Sequence, residues 1–215
     1  MNERIEQLKK TLPGRHSGER VFIIGNGPST LKQDLSPLRH EVTMMSNQFW
    51  HHPNIDFTPT YYFCLDRKGC HSHLQTILEK DPGDVMFLED IFQDRAPDSF
   101  PLKVHRDRKF LGFSLDPLKF VIAGYCVTYM QLQVAAWMGF KEIVLLGIDH
   151  TGNKHVVPEK IYHDGKSHYG LMLDVVERFM EYGEEFLRIL GVDVMDATLG
   201  GKLPQFRKAK YEDVL

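Results

Sequence analysis

Several features are scarce in this 215-residue chain, and each scarcity removes a class of protein. No run approaches the roughly 20 consecutive apolar residues that a membrane-spanning helix needs. Cysteine occurs only at Cys64, Cys70 and Cys126, with no Cys-x-x-Cys and an odd count. Reduced thiols and a cytoplasmic chain are therefore expected, not a disulfide framework. Charge of one sign is not in excess: the net charge of -3 gives no electrostatic reason to expect a nucleic-acid partner. The first twelve residues, MNERIEQLKKTL, are charged and amphipathic, unlike a secretory signal. None of this conflicts with peripheral attachment to the inner membrane. What remains is ordinary globular composition, 42% hydrophobic and 26% charged, at a length suited to one α/β domain over 1–215.

Two nucleotide signatures are also missing. Residues 21–30, VFIIGNGPST, read as a buried strand, a tight turn and a helix start. A dinucleotide fingerprint would need a third glycine where Thr30 stands and an acidic residue at the tip of the second strand. That strand, 42–46, instead runs into Ser46-Asn47-Gln48, and no Gly-Lys-Ser/Thr follows the turn to make a P-loop. NAD is disfavoured. The turn still suits a phosphate-bearing ligand. Gly25 and Gly27 are predicted to take positive φ and bring backbone close to it. Pro28 fits a first helical position, and Asn26 and Ser29 would hold hydrogen-bonding side chains at an anion-attracting helix N-terminus. A purely structural strand-to-helix connection is the alternative.

The rest reads as alternating elements. Residues 2–12 form a surface helix, 42–45 a second strand, 58–66 a third, 70–80 a helix and 85–88 a fourth strand. A helix over 127–138 precedes the apolar strand 142–146, a crossover half-unit that makes the sheet centre parallel. A long amphipathic helix over 169–190 leads to a last strand, 192–195. The expected fold is a Rossmann-like α/β domain, a mostly parallel sheet with helices on both faces. Segments 89–120 and 151–168 read as lid loops.

Ligands of open α/β sheets sit outside the carboxyl ends of the strands, which selects the candidate residues. Asn47 and Gln48 follow the second strand. Asp66 follows the third, to contact a sugar hydroxyl or a metal, or to cap the next helix. Arg106 and Arg108 could neutralise a phosphate or simply face solvent. Asp149 and His150 end the strand at 142–146. Thr198, Gly200, Gly201 and Lys202 end the last strand, as a phosphate or sugar pocket or as a flexible turn. His150, His155, His163 and His168, with Tyr162 and Asp164, cluster in one loop. Their spacing matches no compact zinc signature, so no metal ligands are assigned, and a loop carrying one catalytic histidine is expected.

Taken in order, GNGPS, SNQF, TYY-x-x-x-D, VTYMQLQVAAWMGFKEI-x-LLGIDH and DATLGGKL resemble one domain family over most of the chain. It is the family named for archaeal 6-hydroxymethyl-dihydropterin diphosphokinase. That family is itself similar to motility-associated flagellin glycosyltransferases and to bacterial CMP-sialic acid sialyltransferases. In the sialyltransferases GNGPSL, CNQF, GYKEI-x-L-x-GID and S-H-Y recur in the same order. Here they stand as GNGPST, SNQF, GFKEIVLLGID and Ser167-His168-Tyr169. The resemblance implies a GT-A-like sialyltransferase variant of the fold. It implies that Asn26, Ser29 and Asn47 contact the nucleotide part of a CMP-sugar donor, with the helix start at Val127-Thr128 facing the phosphate or sugar; Gly25, Gly27 and Asp66 join the nucleotide side by their positions. Two departures stand out: Met172 lies near the place of the family's general-base histidine, and Thr151 follows His150 where phosphate-holding tyrosines are found. His150 or His168 is then the expected base, beside Asp149.

The function expected is a glycosyltransferase in cell-surface glycan synthesis, with a nucleotide-sugar donor, a glycan acceptor and no required cofactor. A homo-oligomer is compatible with the sequence. The alternatives are a pterin diphosphokinase, which would need Mg²⁺ held by Asp66 and Asp149, and a non-catalytic nucleotide-binding module.

Overall fold

The apolar runs become neighbours in one sheet. The computed structural model describes residues 2–107, 110–152, 156 and 172–215. In chain order its elements are α1 (Glu3–Thr11), β1 (Arg20–Ile24), β2 (Thr43–Ser46), β3 (Tyr61–Cys64), α2 (Arg67–Lys80), β4 (Val85–Glu89) and β5 (Phe100–Leu102). Then come β6 (Val104–His105), β7 (Val121–Ile122), α3 (Val127–Trp137), β8 (Glu142–Leu146), α4 (Leu173–Ile189), β9 (Asp193–Asp196) and β10 (Arg207–Lys208). Eight strands form a sheet in the order β10-β9-β8-β1-β2-β3-β4-β5. Every neighbouring pair in it is parallel. Strands β6 and β7 form a separate parallel pair.

Alternation along the strands builds two cores. In β1, Val21 and Ile23 face α3 and α4, joining Tyr129, Leu132, Val176 and Phe179. Phe22 and Ile24 face the other way, joining Cys70, Leu74 and Ile77 of α2, Leu35 and Leu38 of the β1–β2 connection, and Tyr211 and Val214 of the tail. A sheet covered on both faces buries its strands along their whole length, as it does β2, β3 and β4. The arrangement is a Rossmann-like α/β fold with helices on both faces. Among the described residues no helix is long and apolar enough to cross a membrane.

Three expectations change. The helix expected after the first turn is a five-residue 3₁₀ segment, Pro28–Lys32. The Thr30 hydroxyl donates back to the Gly27 carbonyl at 2.7 Å, a local bond that competes with helical pairing. The segment 89–120 is not wholly irregular, since it holds β5 and β6 and is tied down from below by Gln133. The strand at 193–196 is not the last: β10 adds an edge. There the Lys208 ammonium reaches the Asp196 carboxylate at 2.5 Å, and the Tyr211 hydroxyl donates to the Asp34 carbonyl at 2.8 Å.

The strand order has one functional consequence. From β1 the chain moves outward to β5, then returns to β8 on the opposite side of β1. The carboxyl ends of β1 and β8 therefore flank the topological switch point, the usual ligand crevice of such sheets.

Candidate functional site

The two turns at the switch point are packed backbone to backbone. The Gly25 N–H donates to the Leu146 carbonyl at 2.7 Å, and the Gly27 N–H to the Gly147 carbonyl at 2.9 Å. A Cβ on Gly25 would lie 2.5 Å from the Gly147 oxygen, and one on Gly27 would lie 2.6 Å from the Asp149 carboxylate. Neither glycine takes a positive φ. The expectation of left-handed glycines approaching a ligand is thus corrected: they are needed because the neighbouring turn leaves no room for a Cβ.

Asp149 completes that contact. Its carboxylate accepts from the Ser29 N–H at 2.9 Å and also from the Ser29 hydroxyl. The anion at the start of the 3₁₀ segment is therefore the chain's own carboxylate. Ser29, predicted to bind nucleotide, turns both polar groups to Asp149 and lies outside the cavity wall. Asp149 acts here as the residue that seats the first turn.

Above the two turns opens a cavity of about 690 Å³, a size suited to a nucleotide-bearing ligand. Gly25, Asn26, Gly27, Asn47, Asp66, Asp149 and His150, expected from strand ends, and Thr128, expected from the resemblance, all line it. Asn26 donates through Nδ2 to the Ser46 carbonyl at 3.1 Å. Asn47, at φ 55°, donates its N–H to the Phe63 carbonyl at 2.9 Å, and its own carbonyl accepts from the Tyr62 hydroxyl at 2.9 Å. Asp66 caps α2, accepting from the Lys68 and Gly69 N–H groups at 3.2 Å. Its capping role is realised while it also faces the cavity.

The helix start is the second polar wall. Gly124 and Tyr125 take successive positive φ values of 55° and 59° and turn the chain into α3. Cys126, Val127 and Thr128 then line the cavity at the N-terminus of this 11-residue helix. Cys126, the N-cap, makes no side-chain capping bond. Thr128 is 3% exposed, and its hydroxyl has no hydrogen-bond partner among the described residues. A hydroxyl that faces a cavity beside a helix N-terminus is a ready position for an anion. Ile122, Met130, Met172 and Phe179 supply apolar surface to the same cavity.

His150, at φ 53°, pairs through Nε2 with the Glu177 carboxylate at 3.0 Å. Such a carboxylate fixes the orientation of an imidazole. At the rim, Glu89 is 1% exposed and clamped by two arginines. Arg67 approaches it at 2.7 Å and Arg106 at 2.6 Å. The Arg106 guanidinium also donates to the Leu65 carbonyl at 2.7 Å. Arg106 thus binds a buried carboxylate instead of standing free for phosphate. Behind the first turn, burial holds the His52 imidazole below its ordinary value. Its Nδ1 accepts from the Asn54 N–H at 3.0 Å, and its Nε2 lies 2.7 Å from the Thr30 hydroxyl.

Other candidates stand apart. Thr198, Gly200, Gly201 and Lys202 do not line the cavity. The Thr198 hydroxyl accepts from the Ile148 N–H at 3.1 Å, the Thr198 N–H donates to Asp196 at 3.0 Å, and the Lys202 N–H donates to the Asp149 carbonyl at 3.2 Å. Thr198 and the Lys202 main chain buttress the β8 turn, and none of the four shares the cavity with the other candidates. Gln48 is buried beside Asn47 without facing the cavity. His155, Tyr162, His163, Asp164, His168 and Arg108 lie outside the described residues, as does most of the 151–168 lid. Arg67, Lys68, Glu89 and Glu177 were missed. Glu89 carried a usable signal, because it ends β4 as Asp66 follows β3. Glu177 carried none, being one of several glutamates on an amphipathic helix.

No family model matches the chain. A search of curated proteins finds no significant match either.

Proposed function

We propose that this protein is a glycosyltransferase using a nucleotide-activated sugar, CMP-linked by the resemblance described above, in cell-surface glycan assembly. Its fold would be the GT-A-like sialyltransferase variant. The observation that carries this reading is Thr128: a hydroxyl on the cavity wall at the N-terminus of α3, at the switch point, with no hydrogen-bond partner among the described residues. That is where a phosphate is best stabilised without a metal.

In this reading Asn26, Asn47 and Asp66 hold the nucleotide, and Ser29 and Asp149 keep the first turn in place. An acceptor hydroxyl attacks the anomeric carbon, and the bond from that carbon to the phosphate oxygen breaks. The acceptor's proton passes to the His150 imidazole, which Glu177 orients. Charge growing on the departing CMP phosphate meets Thr128 and the α3 N-terminus.

The diphosphokinase reading is kept because Asp66 and Asp149 line the same cavity. It is less direct, since both carboxylates already serve the fold by accepting N–H bonds, which Mg²⁺ would have to share. A calorimetric titration with CMP, CTP, ATP and ATP-Mg²⁺ decides between them. CMP binding in the absence of metal supports the transferase. Metal-dependent ATP binding with no response to CMP rules it out. A non-catalytic module would bind CMP and never turn a CMP-sugar over.

A further inference from the structure

Half of the exposed large hydrophobic side chains among the described residues fall in one segment. They are Phe110, Leu111, Leu115, Leu118 and Phe120, each between 37% and 55% exposed. The other five are scattered over the molecule, at Leu31, Ile91, Ile189, Leu199 and Leu215. Single exposed apolar residues need no explanation, but five within eleven consecutive residues do.

The group is held outward by a fixed backbone. Phe113 turns inward, stacking on Phe186 at 5.8 Å and meeting Tyr129 edge-on. The fully buried Gln133 accepts through Oε1 from the Ser114 N–H at 3.0 Å and the Ile122 N–H at 2.9 Å, and donates through Nε2 to the Ile122 carbonyl at 2.8 Å. The Ser114 hydroxyl donates to the Phe120 carbonyl at 2.6 Å, and the Tyr129 hydroxyl to the Gly112 carbonyl at 2.7 Å. With the backbone of 112–122 fastened from below, Leu115, Leu118 and Phe120 are held outward.

Charge selects the occupant. In sequence, residues 103–120 carry five lysines and arginines against two aspartates, within a chain of net charge -3. Lys103 and Lys119 are exposed; Lys119 forms an exposed ion pair with Asp116 at 3.1 Å, which water screens, and Arg106 is held by Glu89. Apolar side chains flanked by basic ones fit the headgroup boundary of an anionic bilayer, where the rings and leucines enter the acyl edge and the lysines meet lipid phosphates. The group also adjoins the site: the His105 ring, on the cavity wall, contacts Phe110 at 5.2 Å and Phe120 at 6.1 Å.

We infer that segment 103–120 docks the protein on an anionic membrane surface, with the cavity rim at the interface. This inference is independent of the transferase reading. Its test is co-sedimentation of the full chain with phosphatidylcholine vesicles with and without phosphatidylglycerol. The expected result is binding to the anionic vesicles that weakens as salt rises. Leu115→Ser with Leu118→Ser should reduce partitioning by about tenfold or more with unchanged melting. Lys103→Glu with Lys119→Glu should reduce it while leaving the apolar group intact. The inference is overturned if the wild type pellets with neither vesicle, or if both double variants bind as the wild type does. It is also overturned if sedimentation velocity shows a dimer that the leucine substitutions dissociate, because a second copy of the chain then covers the patch.

Discussion

The pairing of Ser29 with Asp149 invites a double-mutant cycle. The two residues belong to different strand-end turns and are 6% and 9% exposed. Both Ser29 donors, hydroxyl and N–H, reach the same carboxylate. A hydrogen bond to a charged group contributes about 1.5–3 kcal/mol, so Ser29→Ala should destabilise by that amount. Asp149→Ala leaves two buried donors without an acceptor, at about 1–3 kcal/mol each, and should cost about 3–5 kcal/mol. In the Asp149→Ala background the Ser29 hydroxyl has already lost its acceptor, so adding Ser29→Ala should cost almost nothing. The coupling energy is then about 1.5–3 kcal/mol, the upper part of the range for contacting residues. Urea unfolding of the four proteins reads it directly. At about 2–4 °C per kcal/mol for a chain of this size, thermal melting gives an independent check. If Ser29→Ala costs the same in both backgrounds to within about 0.5 kcal/mol, Asp149 does not seat the turn and the reasoning fails.

Three further outcomes follow from the same geometry. Because burial lowers the His52 pKa, the unfolded chain takes up a proton more readily than the folded one. The stability due to neutral His52 is complete above the unfolded value of about 6.5 and is lost as pH falls through the lowered folded value. His52→Gln should flatten the decline of melting temperature with acidification; an unchanged slope counts against it. Glu89→Ala should cost about 1–3 kcal/mol, less than for a fully buried pair, because the side chains of Arg67 and Arg106 are 54% and 33% exposed and can rehydrate. Limited proteolysis should then cut first within 103–120, and a cleavage pattern like that of the wild type would show that the clamp does not hold this segment. His150→Ala should abolish turnover of a CMP-sugar and leave CMP binding intact; undiminished turnover removes His150 as the base.

Much of the fold was legible because strands covered on both faces must be apolar throughout. The runs at 21–24, 61–64 and 142–146 are of that kind, and each became a strand. The short strands β5, β6, β7 and β10 were not legible. They span two or three residues, too few for a period, and Arg207–Lys208 pairs at the edge with no apolar signal at all. For the site, strand-end position identified the residues that share the cavity but not what each does there. Gly27 and Ser29 illustrate the limit. A glycine that clears a ligand and one that clears a neighbouring carbonyl look alike in sequence, and only the β1–β8 adjacency separates them. Thr198 failed for a similar reason, because a hydroxyl after a strand can support the next turn as well as face a ligand.

The central claim is that the α3 N-terminus and Thr128 receive the phosphate of a nucleotide. Thr128→Val keeps the shape and removes only a hydroxyl that has no partner among the described residues. Stability should therefore change by less than about 0.5 kcal/mol. The direct measurement is a calorimetric titration of the wild type and this variant with CMP in the presence of a chelator. The expected result is metal-free binding by the wild type and an affinity about tenfold weaker in the variant, the loss of one hydrogen bond to a charged group. Equal affinities in the two proteins, or no CMP binding by the wild type, would contradict the account.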